Sequence, residues 1–293
     1  MGPLDVINLS PLMGRTSGHR KIVIGLIDGP VFLRHSDLAA ENIKEVRGKQ
    51  RGSCLDAESA ACLHGTFVAG ILSARRGSPA PAICPSCTLL VRPIFPETNP
   101  VEKEMPSATP EQLAEAIIDC TGAGARVLNL SAALAQPSLK AERPLEHALA
   151  YAASRDVICV AAAGNQGTLG TSVITRHPSV IPVTACDLQG RPLHESNLGR
   201  SIALRGLMAP GVPITSLGMN GKLQTLGGTS AAAPFVTGAI ALLWSEYPNA
   251  NAVEVRMAIT QYKGRRNTLV PPVLNAWSAY QAMAFAQGFR KAS

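Results

Sequence analysis

Three short segments of the 293-residue chain carry residue types that can do covalent chemistry. Asp28 ends the apolar run VIGLID, His64 stands before Gly65 and an apolar stretch, and Ser230 opens the most apolar helix-like segment. A helix N-terminus favours developing negative charge, and parallel strands gather reactive groups at their carboxyl ends. Taken singly, these could be an ordinary turn aspartate, a hydrogen-bonded structural histidine and a helix-capping serine. Their combination, in the chain order Asp, His, Ser, indicates nucleophilic catalysis.

Apolar strand-like runs alternate with helix-like segments, and these elements would have to position the three residues. The predicted strands cover residues 21–28, 88–95, 126–131, 157–163 and 180–185. The predicted helices cover residues 111–120, 144–155 and 230–247, and His64 is expected in the first turn of a further helix. Runs buried on both faces and separated by helices are typical of a parallel sheet with helices on both sides. We therefore predict an α/β fold, a three-layer sandwich with a mostly parallel central sheet. Residues 21–293 would form one domain, preceded by an N-terminal extension of residues 1–20.

The composition excludes several classes of protein. With 46% apolar and 16% charged residues, the chain cannot be mainly disordered. Its longest nearly apolar run, residues 231–244, is shorter than the roughly 20 residues that span a bilayer, so no membrane association is expected. The net charge of +7 is scattered along the chain without a basic stripe that carries aromatic residues. No nucleic-acid partner is therefore expected either.

The sequences around the three residues resemble the motifs of the subtilisin-like serine proteases, the subtilases. The matching stretches are LIDGPV around Asp28, HGTFVAG around His64 and GTSAAAP around Ser230. Four more stretches match in order: RVLNLS from 126, VAAAGNQG from 160, PSVIPVTA from 178 and MAPGVPI from 208. The resemblance covers roughly residues 21–262, and its GTSxAxP element is highly specific. It implies a subtilisin-like fold for the predicted sandwich.

The resemblance also implies a role for each chemical residue. Ser230 would attack the scissile carbonyl, and His64 would take its proton and pass it to the leaving amine. Asp28 would hold the imidazole in the correct tautomer. Asn165 matches the amide of the family's oxyanion hole, with the backbone N–H of Ser230 as the second donor. No cofactor or metal is expected, since no acidic cluster resembles the family's calcium loops.

The primary specificity pocket of the family has two walls that match segments of this chain. The matching residues are Ser131, Ala132 and Ala133 on one wall and Ala161, Ala162, Ala163 and Gly164 on the facing wall. Relatives commonly have glycine where Ala133 stands, so the added methyl should narrow the pocket. Neither wall offers a charge, and an apolar or small substrate side chain is expected.

The sequence does not decide the chemical state of all seven cysteines. Three of them fall in predicted helices or strands and are expected to be small buried core residues: Cys120, Cys159 and Cys186. The other four fall in predicted loops on the active-site side: Cys54, Cys62, Cys84 and Cys87. Local disulfides, free thiols and a zinc site are all open for these four, although Cys54 and Cys62 make a poor second pair for zinc.

The expected function is that of a serine endopeptidase acting on a peptide or protein substrate. The Asp-Gly-Pro motif and the loop cysteines resemble the proteases that mature ribosomally made cyanobactin peptides, which implies leader removal from a precursor peptide. The macrocyclising branch of those proteases carries a helical insertion between the Asp and His motifs. Here His64 follows Asp28 by only 36 positions, which favours hydrolysis. A general degradative protease and a catalytically silent peptide-binding module are the alternatives.

The start of the sequence bears on the expected location. Only 27 residues precede Asp28, too few for an inhibitory prodomain, and no basic segment followed by an apolar one marks a signal peptide. A cytoplasmic location is therefore expected, or secretion if a signal and a prodomain have been removed. Disulfides are unusual in the cytosol, so a disulfide among the loop cysteines would count against the first.

Overall fold

The computed structural model describes residues 1–55, 59–97, 107–131, 142–261 and 268–292, with side chains as far as residue 287. The strands of its central sheet are β1 (Val23–Ile27), β2 (Ile43–Glu45), β3 (Thr88–Val91), β4 (Val127–Leu130), β5 (Ile158–Ala162), β6 (Val180–Cys186) and β7 (Leu207–Pro210). They lie in the order β2–β3–β1–β4–β5–β6–β7, and every neighbouring pair is parallel. The strands β8 (Ile214–Leu217) and β9 (Leu223–Leu226) form a separate antiparallel hairpin.

Helices cover both faces of this sheet. They are α1 (Pro3–Val6), α2 (Ser10–Arg15), α3 (Ala60–Ser73), α4 (Pro110–Gly122), α5 (Glu142–Ser154), α6 (Val173–Arg176), α7 (Arg200–Arg205), α8 (Thr229–Glu246), α9 (Ala252–Thr260) and α10 (Ala276–Ala292). Helices α4 and α5 pack against one face, and α3 and α8 pack against the other. The predicted three-layer α/β sandwich is therefore confirmed, with one apolar core on each side of the sheet.

Continuous apolar sequence explains the central elements. Strand β5 is buried at every residue, as expected for a strand covered by helices on both faces. Helix α8 is buried around nearly its whole circumference, from Thr229 to Trp244. A helix that is apolar all round belongs in the core, and α8 accordingly contacts five neighbouring strands, β1 and β4 to β7.

The predicted start of the histidine-bearing helix was wrong by one turn. Helix α3 begins at Ala60, so His64 lies in its second turn rather than its first. The four residues before His64, AACL, contain no helix breaker, and Ala and Leu are strong helix formers. Starting earlier places the imidazole on a turn whose backbone hydrogen bonds are already formed.

The N-terminal segment, residues 1–20, packs on the main core. Ile7, Leu9 and Leu12 have no exposed surface, and they belong to the same apolar cluster as α8. Arg76, which follows α3, donates hydrogen bonds from its guanidinium to the backbone carbonyls of Met13 and Thr16. The two short helices α1 and α2 are thus anchored by burial and by side-chain contacts.

The strand order brings the ends of β1, β4 and β5 to one crevice. Strand β1 lies between β3 and β4, so the direction in which the chain adds strands reverses there. Ligand sites of open α/β sheets lie at such a reversal, outside the carboxyl ends of the strands. Asp28 directly follows β1, Ser131 follows β4, and residues 163–165 follow β5.

Two glycines allow the end of β1 to touch helix α3. A Cβ on Gly29 would overlap the carbonyl of Ala61, and a Cβ on Gly65 would overlap the carbonyls of Gly29 and Pro30. Both obstacles are backbone atoms, which cannot rotate away. The approach that brings Asp28 to His64 therefore requires glycine at both positions.

Cys54 and Cys62 form a disulfide, whereas the other two loop cysteines are free thiols. Two of the states left open from the sequence therefore occur together. Ser53, next to Cys54, pairs with Val31 in an isolated β-bridge, and the disulfide ties this segment to helix α3. Cys62 lies in α3, two residues before His64. Cys84 and Cys87 are buried free thiols, and a four-cysteine zinc site is thereby excluded. The other three cysteines are buried in α4, β5 and β6, as predicted.

Within the described ranges, no helix combines the length and the apolar character needed to cross a membrane.

We predict that Gly65→Ala lowers the free energy of unfolding by about 1–3 kcal/mol, because a methyl must be forced between α3 and the end of β1. Urea unfolding followed by circular dichroism measures the change. Gly122→Ala is the matched control, since its Cβ would meet no atom within 4 Å, and it should be neutral or slightly stabilising. Equal stability of wild type and Gly65→Ala would contradict the close approach.

The disulfide predicts the number of thiols that can be alkylated. Denatured, unreduced protein should take up iodoacetamide at five cysteines, and reduced protein at all seven. Mass spectrometry of the intact chain counts the adducts, and peptide mapping should show Cys54 joined to Cys62. Seven adducts without reduction would contradict the disulfide.

Candidate active site

The carboxylate of Asp28 is fully buried and holds the imidazole of His64. Its Oδ1 accepts a hydrogen bond from the backbone N–H of Gly29 at 2.6 Å and lies 2.7 Å from Nδ1 of His64. A carboxylate can only accept, so Nδ1 carries the proton and donates it to Oδ1. The other oxygen, Oδ2, is buried and has no hydrogen-bond partner among the described residues.

The surroundings of His64 act on its pKa in opposite directions. Burial of the ring opposes the charged form, whereas attraction to Asp28 and the hydrogen bond to its carboxylate favour it. The two contributions of Asp28 together outweigh burial, and the pKa of His64 is raised above its ordinary value.

The other imidazole nitrogen faces Ser230. His64 Nε2 lies 3.0 Å from the hydroxyl oxygen of Ser230. With the proton on Nδ1, Nε2 is free to accept the hydrogen bond that the hydroxyl donates. Asp28, His64 and Ser230 therefore form one continuous hydrogen-bonded array across elements distant in sequence.

Ser230 is the second residue of α8 and does not cap it. The cap is Gly228, whose φ of +91° is rarely adopted by residues with a side chain. The backbone N–H of Ser230 belongs to the first turn, where helix N–H groups have no partner within the helix. The dipole of α8 adds partial positive charge at the same point.

Two hydrogen bonds join the start of α8 to the segment after β5. The backbone N–H of Thr229 donates to Oδ1 of Asn165 at 2.9 Å, and Oγ1 of Thr229 accepts from the backbone N–H of Gly164 at 3.2 Å. The first bond fixes the amide of Asn165 with its oxygen toward Thr229. The donor Nδ2 is thereby left without a partner in the described part of the chain, next to Gly228, two residues before Ser230.

A second asparagine holds the loop that follows Asn165. The Nδ2 group of Asn197 donates to the carbonyl of Ala163 and to the side chain of Gln166, at 3.1 and 2.7 Å. Its Oδ1 accepts from the backbone N–H groups of Gln166 and Thr168, at 3.1 and 3.0 Å. These four bonds leave this exposed loop little freedom to displace Asn165.

A cavity of about 260 Å³ lies next to this loop. Two residues predicted for a pocket wall, Ala162 and Ala163, line it. Ala161 is buried inside β5 and Gly164 is bound to Thr229, and neither is among the described lining residues. Most of the remaining lining residues come from the segment 166–175.

The facing wall is described only at its first residue. Ser131 continues the β1–β4 pairing through its N–H, which donates to the carbonyl of Ile27 at 3.3 Å. Its hydroxyl accepts from Nδ2 of buried Asn129, whose Oδ1 accepts from Thr237 of α8. Ala132 and Ala133 lie outside the described residues.

Sequence reasoning named Asp28, His64, Ser230 and Asn165 but missed three polar residues around them. Thr229 stood inside the quoted GTSAAAP stretch, so its place beside Ser230 was a usable signal. Asn197 lies in a turn-rich stretch without a periodic pattern, and its contacts could not be foreseen. Glu142 also lines the cavity, although the charged and polar sequence around it offers no such signal. No group of three or more potential metal ligands gathers in the ranges that the structure covers.

The chain is similar to known proteins over most of its length. The profile of the subtilase family matches residues 19–289. A thermophilic serine proteinase of Bacillus sp. (strain AK1) is 32% identical over 249 residues, which are 84% of this chain and 57% of that protein. Subtilisin DY of Bacillus licheniformis is 30% identical over 240 residues, or 80% of this chain and 81% of that protein.

A solved structure shows the same likeness in three dimensions. The prenylagaramide maturation protease PagA is similar with a TM-score of 0.81 and 28% sequence identity, over 94% of this chain and 98% of that one. The likeness thus extends over nearly the whole length of both chains. With the profile match over nearly all residues, it shows that the chain belongs to the subtilase family of serine proteases.

Proposed function

We propose that this chain is a serine endopeptidase that hydrolyses peptide bonds, with residues 21–293 as a single catalytic domain after the extension of residues 1–20. The observation that carries the proposal is the hydrogen-bonded array from Asp28 through His64 to Ser230. Such an array can make a serine hydroxyl nucleophilic near neutral pH.

In the proposed reaction, the hydroxyl oxygen of Ser230 attacks the carbonyl carbon of the scissile bond while its proton moves to Nε2 of His64. The imidazolium is stabilised by the buried carboxylate of Asp28, which keeps its own negative charge. His64 then gives the proton to the leaving amine, and the C–N bond breaks. Water repeats the sequence on the acyl-enzyme, and Ser230 is released with its proton restored.

The negative charge that develops on the substrate oxygen needs donors already in place. Nδ2 of Asn165 and the backbone N–H of Ser230 are proposed for this task. Both are held before substrate arrives, the first through the bond from Thr229 to Asn165 and the second by the helix. Donors fixed in advance need no reorganisation during the reaction, which is why they lower its barrier.

The proposed substrate is a ribosomally made precursor peptide from which a leader segment is removed. The support is the likeness to PagA, described as a prenylagaramide maturation protease. A general degradative protease is the alternative. The chain is as similar in sequence to subtilisin DY as it is to PagA, and this similarity supports the alternative. A catalytically silent peptide-binding module fits poorly, because a protein that only binds peptides does not need the hydrogen-bonded array of Asp28, His64 and Ser230.

For location we propose the cytoplasm, with secretion as the alternative. The Cys54–Cys62 disulfide supports the alternative, since disulfides persist mainly in oxidising compartments. Fractionation of the producing cells, followed by immunoblotting, decides between the two.

We predict that a fluorophosphonate adds covalently to wild-type protein at Ser230 and not to Ser230→Ala. Only an activated serine is labelled at a useful rate, so a binding module would gain no mass. Intact-mass spectrometry measures the adduct, and peptide mapping locates it. Equal labelling of both proteins, or of neither, would contradict the proposed nucleophile.

Asn165→Ala is expected to lower kcat by about 10²–10³ with a smaller effect on KM, as for the corresponding donor in a subtilisin. The donor acts on charge that appears only in the transition state, so substrate binding should be nearly spared. Steady-state kinetics on a cleaved peptide measures both constants. Unchanged kcat would remove Asn165 from the oxyanion hole.

The pH dependence follows from the raised pKa of His64. The imidazole must be neutral to accept a proton, so kcat/KM should rise with pH and reach half its plateau above about 6.5, the ordinary value for histidine. Asp28→Asn removes the attraction that raises this pKa. The variant should therefore show a lower midpoint together with a kcat lower by about 10⁴. A flat wild-type profile from pH 5 to 8 would rule out His64 as the base.

A further inference from the structure

The cavity of about 260 Å³ beside Asn165 contains one charged side chain among its described lining residues, that of Glu142. The cavity opens next to the proposed oxyanion hole, because Ala163 lines it two residues before Asn165. A substrate residue whose carbonyl is attacked at Ser230 would place its side chain here. The inference that follows rests on the proposed endopeptidase function.

Glu142 is buried and is paired with a cation. Only 5% of the residue is exposed, and it begins helix α5, whose N-terminus favours a negative charge. Nη2 of Arg176 lies 2.9 Å from its Oε2. Pairing of this kind offsets the cost of burying a carboxylate.

The carboxylate is only partly compensated. The same Nη2 of Arg176 also binds Oε1 of Glu146 at 2.8 Å, so two carboxylates share one guanidinium nitrogen. No described residue donates a hydrogen bond to Oε1 of Glu142. Arg205 directs its guanidinium to the carbonyls of Thr175 and Arg176 and does not line the cavity.

The rest of the cavity is mixed, with apolar lining from Val173, Ile174 and Ile202 beside polar lining residues. Thr171 and Gln166 are polar lining residues, whereas the side chains of Ser172 and Thr175 are hydrogen-bonded to each other at the start of α6. Ala162 and Ala163 supply apolar surface on the side of β5, against which the methylene groups of a long side chain can lie. About 150 Å³ is enough for a benzene ring, so 260 Å³ admits such a side chain.

We propose that Glu142 selects substrates with an arginine or lysine at the residue whose carbonyl Ser230 attacks. The cationic end would meet the free oxygen of Glu142, while the methylene groups pack on the alanines. This differs from the expectation of an apolar or small side chain, which considered only the two pocket walls. Glu142 lies outside both of them, at the start of α5.

The test uses four peptides that differ only at that residue, carrying arginine, citrulline, leucine or alanine. Citrulline keeps the shape of arginine and lacks its charge, so the arginine-to-citrulline ratio of kcat/KM isolates the charge. Wild type should cleave the arginine peptide about 30-fold or more faster than the citrulline peptide, the effect of a buried charge pair.

Two variants assign the effect to one carboxylate. Glu142→Gln should bring the arginine-to-citrulline ratio close to one while cleavage of the leucine and alanine peptides persists. Glu146→Gln makes the same chemical change at a residue that binds the same Arg176 but does not line the cavity, and it should keep the wild-type ratio. Thermal unfolding checks that both variants are folded, and if Glu142→Gln is not, the wild-type ratio alone decides.

Three results would overturn the proposal: a wild-type ratio near one, a ratio that Glu142→Gln leaves unchanged, or an equal loss in Glu146→Gln. Failure to cleave any of the four peptides by a protein that still reacts with fluorophosphonate would also overturn it and leave the active serine intact. Failure both to cleave and to react would refute the endopeptidase function itself.

Discussion

The hydrogen bond between Asp28 and His64 is the contact on which the rest of the site depends. It buries a carboxylate in an apolar crevice with one oxygen lacking a partner in the described chain, an arrangement that costs folding free energy. The carboxylate does, however, fix the proton of His64 on Nδ1, and only that tautomer leaves Nε2 able to accept the proton of Ser230.

The scaffold around this bond is built for close and rigid approach. Gly29 and Gly65 bring strand β1 and helix α3 into backbone contact, which sets the distance between carboxylate and imidazole. Thr229 then links the start of α8 to Asn165 and Gly164, so that the serine and the oxyanion donor cannot move independently. The Cys54–Cys62 disulfide holds the loop before α3 to that helix. The end of β1, helix α3, the start of α8 and the segment after β5 are thereby held together at the active site.

Much of this arrangement could be predicted from the sequence, because its signals are local. The buried strands read as continuous apolar runs, and the α/β sandwich follows from their alternation with helices. Asp28, His64, Ser230 and Asn165 were found because they stand in short specific motifs. The start of α3 was missed although Ser59, a residue type favoured at helix N-caps, stands directly before Ala60. Glu142 was missed for a different reason. Its place in the cavity depends on the packing of α5 and on Arg176, 34 residues later, and no pattern in sequence reports a contact of that kind.

The tautomer of His64 tests the central claim most directly. Nitrogen-15 NMR of histidine-labelled protein distinguishes a protonated from an unprotonated ring nitrogen, and the spectrum of His64→Asn identifies the signals of this residue among the six histidines. The structure predicts that, above its titration midpoint, His64 carries its proton on Nδ1 and leaves Nε2 bare, and that Asp28→Asn abolishes this preference. A proton on Nε2 of the neutral wild-type ring would contradict the account, because His64 could then accept nothing from Ser230.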